Sequence, residues 1–237
     1  MKTEQLIIDG HTIDIIRKKI KNLHLRISAV DGQIRLTAPL HVKTNEIKNV
    51  ITARLDWIKT QQLKIANRPV IAANQYLTGE YHYFQGQRYL LTVIYHAKTP
   101  KVEIIDQNMY LYVRDGSDSS KREQVLNAWY RQQLNLLIPQ LIAKWQPIIH
   151  VTVDDWGVKQ MKTRWGTCNI RDRRIWLALG LAQKPLACLE YVVVHEMVHL
   201  LERYHNDRFK AFMTQFLPNW PQLKIELNQL STHELEE

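Results

Sequence analysis

The periodicities along the chain predict an α+β protein: a β-rich amino-terminal module with one helix, then a domain made of a helix, a short antiparallel or mixed sheet, a histidine-bearing helix and a carboxy-terminal helix. Three observations carry this. Short runs of alternating apolar residues recur through the first 114 positions. Apolar residues then recur at near-helical spacing from Val125 to Trp145. Between the two, Asp115-Gly116-Ser117-Asp118-Ser119-Ser120-Lys121 has no apolar side chain and is rich in turn formers, so 115–121 is the expected linker between modules 1–114 and 122–237.

The elements follow in order. Leu6 to Ile8, Ile13 to Ile16, Leu23 to Ile27 and Ile34 to Leu36 read as strands, with Asp31-Gly32 as the hairpin turn that sets Leu25 against Leu36. Thr44 is the expected cap of a helix whose inner face is Ile47, Val50, Ile51, Leu55 and Ile58. From Tyr76 to Val113 β-branched and aromatic residues return, broken at Gly79, Gly86, Pro100 and Asp106-Gln107-Asn108. The helix through Trp145 is expected to stop before Pro147. Val151 to Val158, Met161 to Cys168 and Ile175 to Leu179 read as short strands, with Arg171 to Arg174 as a hairpin turn. Pro185 opens a helix with an apolar stripe of Leu186, Leu189, Val193, Met197 and Leu200. No sequence repeat is visible.

At 237 residues the chain has ample material for a buried core, and 45% hydrophobic with 23% charged residues is ordinary globular usage. Its net charge of +9 points to a polyanion partner as one alternative. The first 120 residues hold 17 basic and 11 acidic side chains, so contact with DNA, if made, is expected through the amino-terminal module, where Arg17-Lys18-Lys19, Lys21 and Arg26 cluster. Two cysteines are too few for a disulfide framework, no run approaches the length of a membrane helix, and Met1 to Gly10 lacks a secretory pattern. A cytoplasmic protein is the expectation, with no membrane partner.

The segment His195-Glu196-Met197-Val198-His199 carries the chemistry. Two histidines four apart on a helix stand on one face and reach one metal ion, and a zinc ion held by three protein ligands keeps a place for water. Glu196 beside them is placed to accept that water's proton, as a general base in hydrolysis. The third ligand is His205. Six residues rotate about 240° round a helix, so the helix must stop after His199, and Asn206 or Asp207 must cap a new one through Phe209, Phe212 and Phe216. No glycine is available for the corner.

Three segments give a family resemblance: His195-Glu196-Met197-Val198-His199 through His205 to Phe209; Met161 to Cys168, with Arg164-Trp165-Gly166-Thr167-Cys168; and the Asn22 to Pro39 hairpin with the helix ending in Asp56-Trp57-Ile58. The chain resembles the YgjP-like metallopeptidases, close to the SprT-type small zincins, with Thr167 where the family usually has serine. The resemblance implies a zincin-like catalytic domain, one catalytic zinc on His195, His199 and His205, Glu196 as base and a protein or peptide substrate. It also implies a sheet edge that pairs with extended peptide, with Ile175 to Leu179 as its rim. Arg164 ranks ahead of Tyr191 and Tyr204 as the oxyanion-stabilising group. Cys168 is either a fourth ligand or a buried thiol, and Trp129, Trp165 and Trp176 either line a groove or pack. The competing readings are a nucleic-acid-binding module that zinc merely stabilises, and a peptide binder without significant turnover.

Overall fold

The computed structural model describes residues 3–28, 32–66 and 74–229. Two compact units emerge, Met1–Ala72 and Ala73–Glu237. The division therefore falls some forty residues before the 115–121 stretch expected to be the linker.

The first unit is a four-stranded sheet backed by two helices. Strands β1 (Thr3–Ile8), β2 (His11–Lys18), β3 (His24–Ile27) and β4 (Ile34–Pro39) lie in the order β1-β2-β4-β3, with β2 and β4 parallel and the outer pairs antiparallel. Leu25 pairs with Leu36 as expected; Asp31 lies outside the described residues. Asp9 and Gly10 both have positive φ, the conformation a two-residue hairpin needs to match strand twist. The expected single helix is two, α1 (Thr44–Thr52) and α2 (Leu55–Ala66). Ile47, Ile51 and Ile58 still close over Ile13, Ile15, Ile34 and Leu36, so the apolar face continues across the break. Thr44 is not the cap: the helix starts on it, and its hydroxyl accepts from Arg17 Nη2 at 3.2 Å. Arg17 also donates to the Val42 carbonyl at 2.6 Å, which makes it an internal strut rather than part of a basic surface.

The second unit begins with the same topology. Strands β5 (Tyr81–Phe84), β6 (Gln87–Tyr95), β7 (Lys101–Ile105) and β8 (Asn108–Val113) lie in the order β5-β6-β8-β7, again with a parallel inner pair. The 31-residue helix α3 (Ser119–Ile149) follows at once. Asp118 accepts from the Lys121 amide at 2.7 Å, so the polar stretch is the cap of this helix. Leu126, Tyr130, Leu134, Ile138, Ile142, Trp145 and Ile149 are buried in one core with Leu91, Met109 and Leu111 of the sheet and Val193 and Met197 further along. That common core keeps residues 81–113 with the histidine-bearing helix.

Helix α3 runs through Pro139 and Pro147 instead of stopping short. An interior proline costs about 3 kcal/mol, but each large apolar side chain buried returns roughly 1.5–3 kcal/mol. Ile142, Trp145 and Ile149 therefore hold the last turns in place until His150 ends them in the left-handed region. A three-stranded sheet comes next, β9 (Asp155–Lys159), β10 (Gly166–Asn169) and β11 (Arg174–Ala178), in the order β10-β11-β9. Residues 161–165 are outside its strands. Because β11 pairs with β10 on one side and β9 on the other, the segment expected to form a free rim is the central strand. A 3₁₀ turn (Leu179–Gln183) leads to α4 (Leu186–Val198), α5 (Asp207–Phe216) and α6 (Trp220–Gln229). The turn between β5 and β6 abuts the start of α4: Gln85 and Gly86 amides donate to the carbonyls of Ala182 and Gln183 at 2.9 and 3.2 Å.

Candidate metal centre

Helix α4 is buried nearly all round, which explains its mean apolar character and its position at the heart of the unit. Leu189, Val193 and Met197 are buried as expected, while Leu186 at its first turn is exposed. The helix ends with His199 as its C-cap, as the spacing to His205 required. Residues 200–206 turn the corner with no positive φ, and Asn206 caps α5 by accepting from the Phe209 amide at 3.0 Å.

The corner brings three imidazoles together. Nε2 of His205 lies 2.9 Å from Nε2 of His195 and 3.0 Å from Nε2 of His199. His199 Nδ1 faces the Glu202 carbonyl at 3.1 Å, so Nδ1 carries the proton and Nε2 presents a bare lone pair to the centre. One proton on His205 Nε2 serves a single neighbour at most. A cation shared by all three nitrogens satisfies the set, since tetrahedral ligands at about 2.0–2.1 Å stand roughly 3.3 Å apart. Among the described residues these three histidines form the only group with metal-ligand geometry. Burial, then the neighbouring imidazoles, push His195 down to about 3, and burial also lowers His199, so both stay neutral and ready to ligate.

Glu196 points away from the outer surface and is 4% exposed. Strand β10 passes directly over it: a Cβ on Gly166 would stand 2.5 Å from Glu196 Oε1 and 2.8 Å from its Cγ. Cys168, on the same strand, has its thiol pushed up to about 12 by burial and by the Glu196 charge. It is a protonated neighbour of the carboxylate and stands outside the ligand group. Both cysteines are free thiols.

Two residues were not singled out as site residues in the sequence. Phe209 lies under all three imidazoles, with ring centroids 4.9, 4.7 and 4.7 Å from those of His195, His199 and His205. Its place four residues after His205 was the available signal. Gly166 was visible only as part of a motif, because its need for a missing side chain arises from a strand and a helix that meet in space. Tyr191 stacks edge-on to His195 at 5.8 Å and is buried, whereas Tyr204 is 65% exposed. Arg164 is exposed and, among the described residues, has no hydrogen bond or ion pair. The tryptophans pack: Trp129 on Phe84 at 4.7 Å, Trp165 against Gly180, and Trp176 between Gly157 and the Lys159 ammonium, 3.4 Å above its ring.

Three converging imidazoles on a helix and the corner after it, with buried Glu196 between the first two histidines in sequence, form a group that could hold a metal ion. The family model for the YgjP-like metallopeptidase domain matches residues 21–230, and the chain belongs to that family. Among curated proteins nothing matches. The crystal structure of the metallopeptidase zymogen abylysin from Pyrococcus abyssi is similar over 42% of this chain and 99% of that one, with 13% identity and a TM-score of 0.39. Among the described residues no helix is long and apolar enough to cross a membrane.

Proposed function

We propose that this chain is a zinc-dependent endopeptidase that hydrolyses exposed or unfolded protein segments in the cytoplasm. The observation that carries the reading is the approach of the His195 and His199 Nε2 atoms to 2.9 and 3.0 Å of His205 Nε2. Zinc bound there supplies a Lewis acid that brings the pKa of water down to about 7. Glu196 accepts the proton of the attacking water on its carboxylate and returns it to the departing amine. Arg164, unpaired and two residues before Gly166, is assigned the oxyanion of the tetrahedral intermediate. Strand β10, the sheet edge that lies over Glu196, is suited to take an extended peptide by main-chain pairing.

The test uses purified protein loaded with zinc and a denatured protein or peptide library. Glu196→Gln should keep the metal and lose cleavage. Cleavage that persists in this variant would remove Glu196 from the mechanism, and zinc that binds without any cleavage in the wild type would favour the peptide-binding reading.

A second reading concerns partners, and charge distribution favours it. Residues 1–72 contain 13 basic and 6 acidic side chains, which is +7 of the total +9. On the sheet face opposite the helices, Arg26 and Arg35 stand directly across from one another on β3 and β4, both exposed. Like charges in that position repel; Asp14, opposite Arg35 on β2, offsets part of this, and a phosphate backbone would offset more. Binding of DNA or RNA that weakens steeply with salt, and weakens again in Arg26→Gln/Arg35→Gln, is the expected result; salt-insensitive or absent binding dismisses the contact.

A further inference from the structure

The corner between α4 and α5 has to deliver His205 to the other two ligands with neither glycine nor a left-handed residue to make the turn. Side-chain hydrogen bonds take that role, and most of them meet at Glu202. Its amide donates to the Val198 carbonyl at 3.0 Å and closes the last turn of α4. Its carbonyl faces His199 Nδ1 at 3.1 Å. Its carboxylate accepts from the Tyr204 amide at 3.3 Å through Oε1, and Oε2 lies 3.9 Å from Arg208 Nη1. The Glu202 side chain is 14% exposed, so this carboxylate is packed into the corner rather than waving in solvent. Immediately beyond, the Asn206 amide donates to the Tyr204 carbonyl at 2.7 Å. His205 is thus carried between two residues, each held from one side.

We infer that Glu202 is a positioning residue for two of the three metal ligands: its carbonyl sets the tautomer of His199, and its carboxylate fixes the peptide that presents His205. The inference rests on the reading of the three histidines as a zinc site. The two roles separate by mutation, because every substitution keeps the carbonyl and only some keep the carboxylate's acceptor. Glu202→Ala leaves His199 oriented and frees the corner. Glu202→Gln keeps an oxygen for the Tyr204 amide and gives up only the charge facing Arg208, a pair at 3.9 Å with the arginine 69% exposed and therefore of little weight.

The experiment is zinc affinity by chelator competition on the full chain, together with the absorption spectrum of the cobalt-substituted protein. Glu202→Ala should bind zinc about 10–100-fold more weakly, as loss of a ligand-orienting partner does, and its cobalt spectrum should change. Glu202→Gln should restore both. In a His205→Ala background, Glu202→Ala should have no further effect, since the ligand it places is gone. Should Glu202→Ala fail to fold, Glu202→Asp, which withdraws the carboxylate by one methylene, should show the same weakened binding. Wild-type affinity and spectrum in Glu202→Ala, equal loss in Glu202→Gln, or an undiminished effect without His205 would each overturn the inference. Wild-type protein that takes up no stoichiometric zinc would instead overturn the zinc reading beneath it.

Discussion

Substituting Gly166 by alanine is the sharpest probe of how Glu196 is held. The added Cβ would meet Oε1 at 2.5 Å, Cγ at 2.8 Å and Cδ at 2.9 Å. Ordinary contacts of this kind are about 3.4 Å or more, so the carboxylate must move by roughly 0.5–0.9 Å. Gly166 does not have a positive φ, so alanine suits the backbone and the whole effect comes from crowding. A misplacement of about 1 Å in a reacting group costs on the order of 10²-fold in rate, or about 2.7 kcal/mol. The stability cost of overpacking is roughly 1–3 kcal/mol and is borne by a side chain with some freedom to shift. Gly166→Ala should therefore lower kcat on an unfolded protein substrate by about 10²-fold, with zinc content unchanged, because the three atoms nearest the added Cβ all belong to Glu196. Wild-type kcat in this variant would show that Glu196 is not seated by β10, and loss of zinc in parallel would show that the strand supports the ligands instead.

Three further outcomes follow from the same geometry. Stripping the metal with a chelator should abolish cleavage and lower the melting temperature, with zinc restoring both; a ligand at 100 times its Kd stabilises by about 2.7 kcal/mol, and an unchanged melting temperature would argue against a bound ion. Asn206→Ala removes the cap of α5 and should cost about 1 kcal/mol in urea melts, with weaker zinc binding because His205 is its neighbour. His82 is buried, and burial holds its pKa below the ordinary 6.5 against the opposing pull of Glu80, 3.4 Å away. The unfolded chain then binds the proton more readily, so the contribution of His82 is complete above pH 6.5 and is lost progressively as pH falls below that value through the lower pKa of the folded state. Metal-free melts of His82→Phe should show a shallower loss below that pH than the wild type, and identical profiles would exclude His82 as a source of acid sensitivity.

The candidate site was legible because its logic is local. A four-residue step puts His195 and His199 on one face, and a six-residue step forces the helix to end before His205; the structure has that end at His199 and the Asn206 cap beyond it. Glu202 was invisible for the opposite reason: its carbonyl and carboxylate matter only once the corner brings residues 199, 204 and 208 around it. Boundaries failed where burial outweighed a local signal. Pro147 reads as a stop, yet Ile149 two residues later is buried in the core and the helix continues. Residues 115–121 read as a linker because turn formers and a helix cap share the same composition, and Asp118 is the cap.

Sheet order lay beyond any local pattern. Ile175 to Leu179 has the apolar character of a strand at either a rim or a centre, and only pairing with β9 and β10 places it in the middle. The shared topology of the two four-stranded sheets is likewise absent from the sequence, since parallel inner pairs join segments about twenty residues apart. By itself the sequence determined which histidines could converge, the helix break and the alternation of strands, all of which follow from the 3.6 and 2 residue periods of the backbone. Tertiary structure alone decided which strand covers Glu196, which side chains hold the corner, and that the second β-sheet shares a core with the histidine helix. Those are contacts between distant segments, chosen by what buries the most apolar surface while leaving few buried polar groups, Trp165 Nε1 and His96 Nε2 among them, without a hydrogen-bond partner.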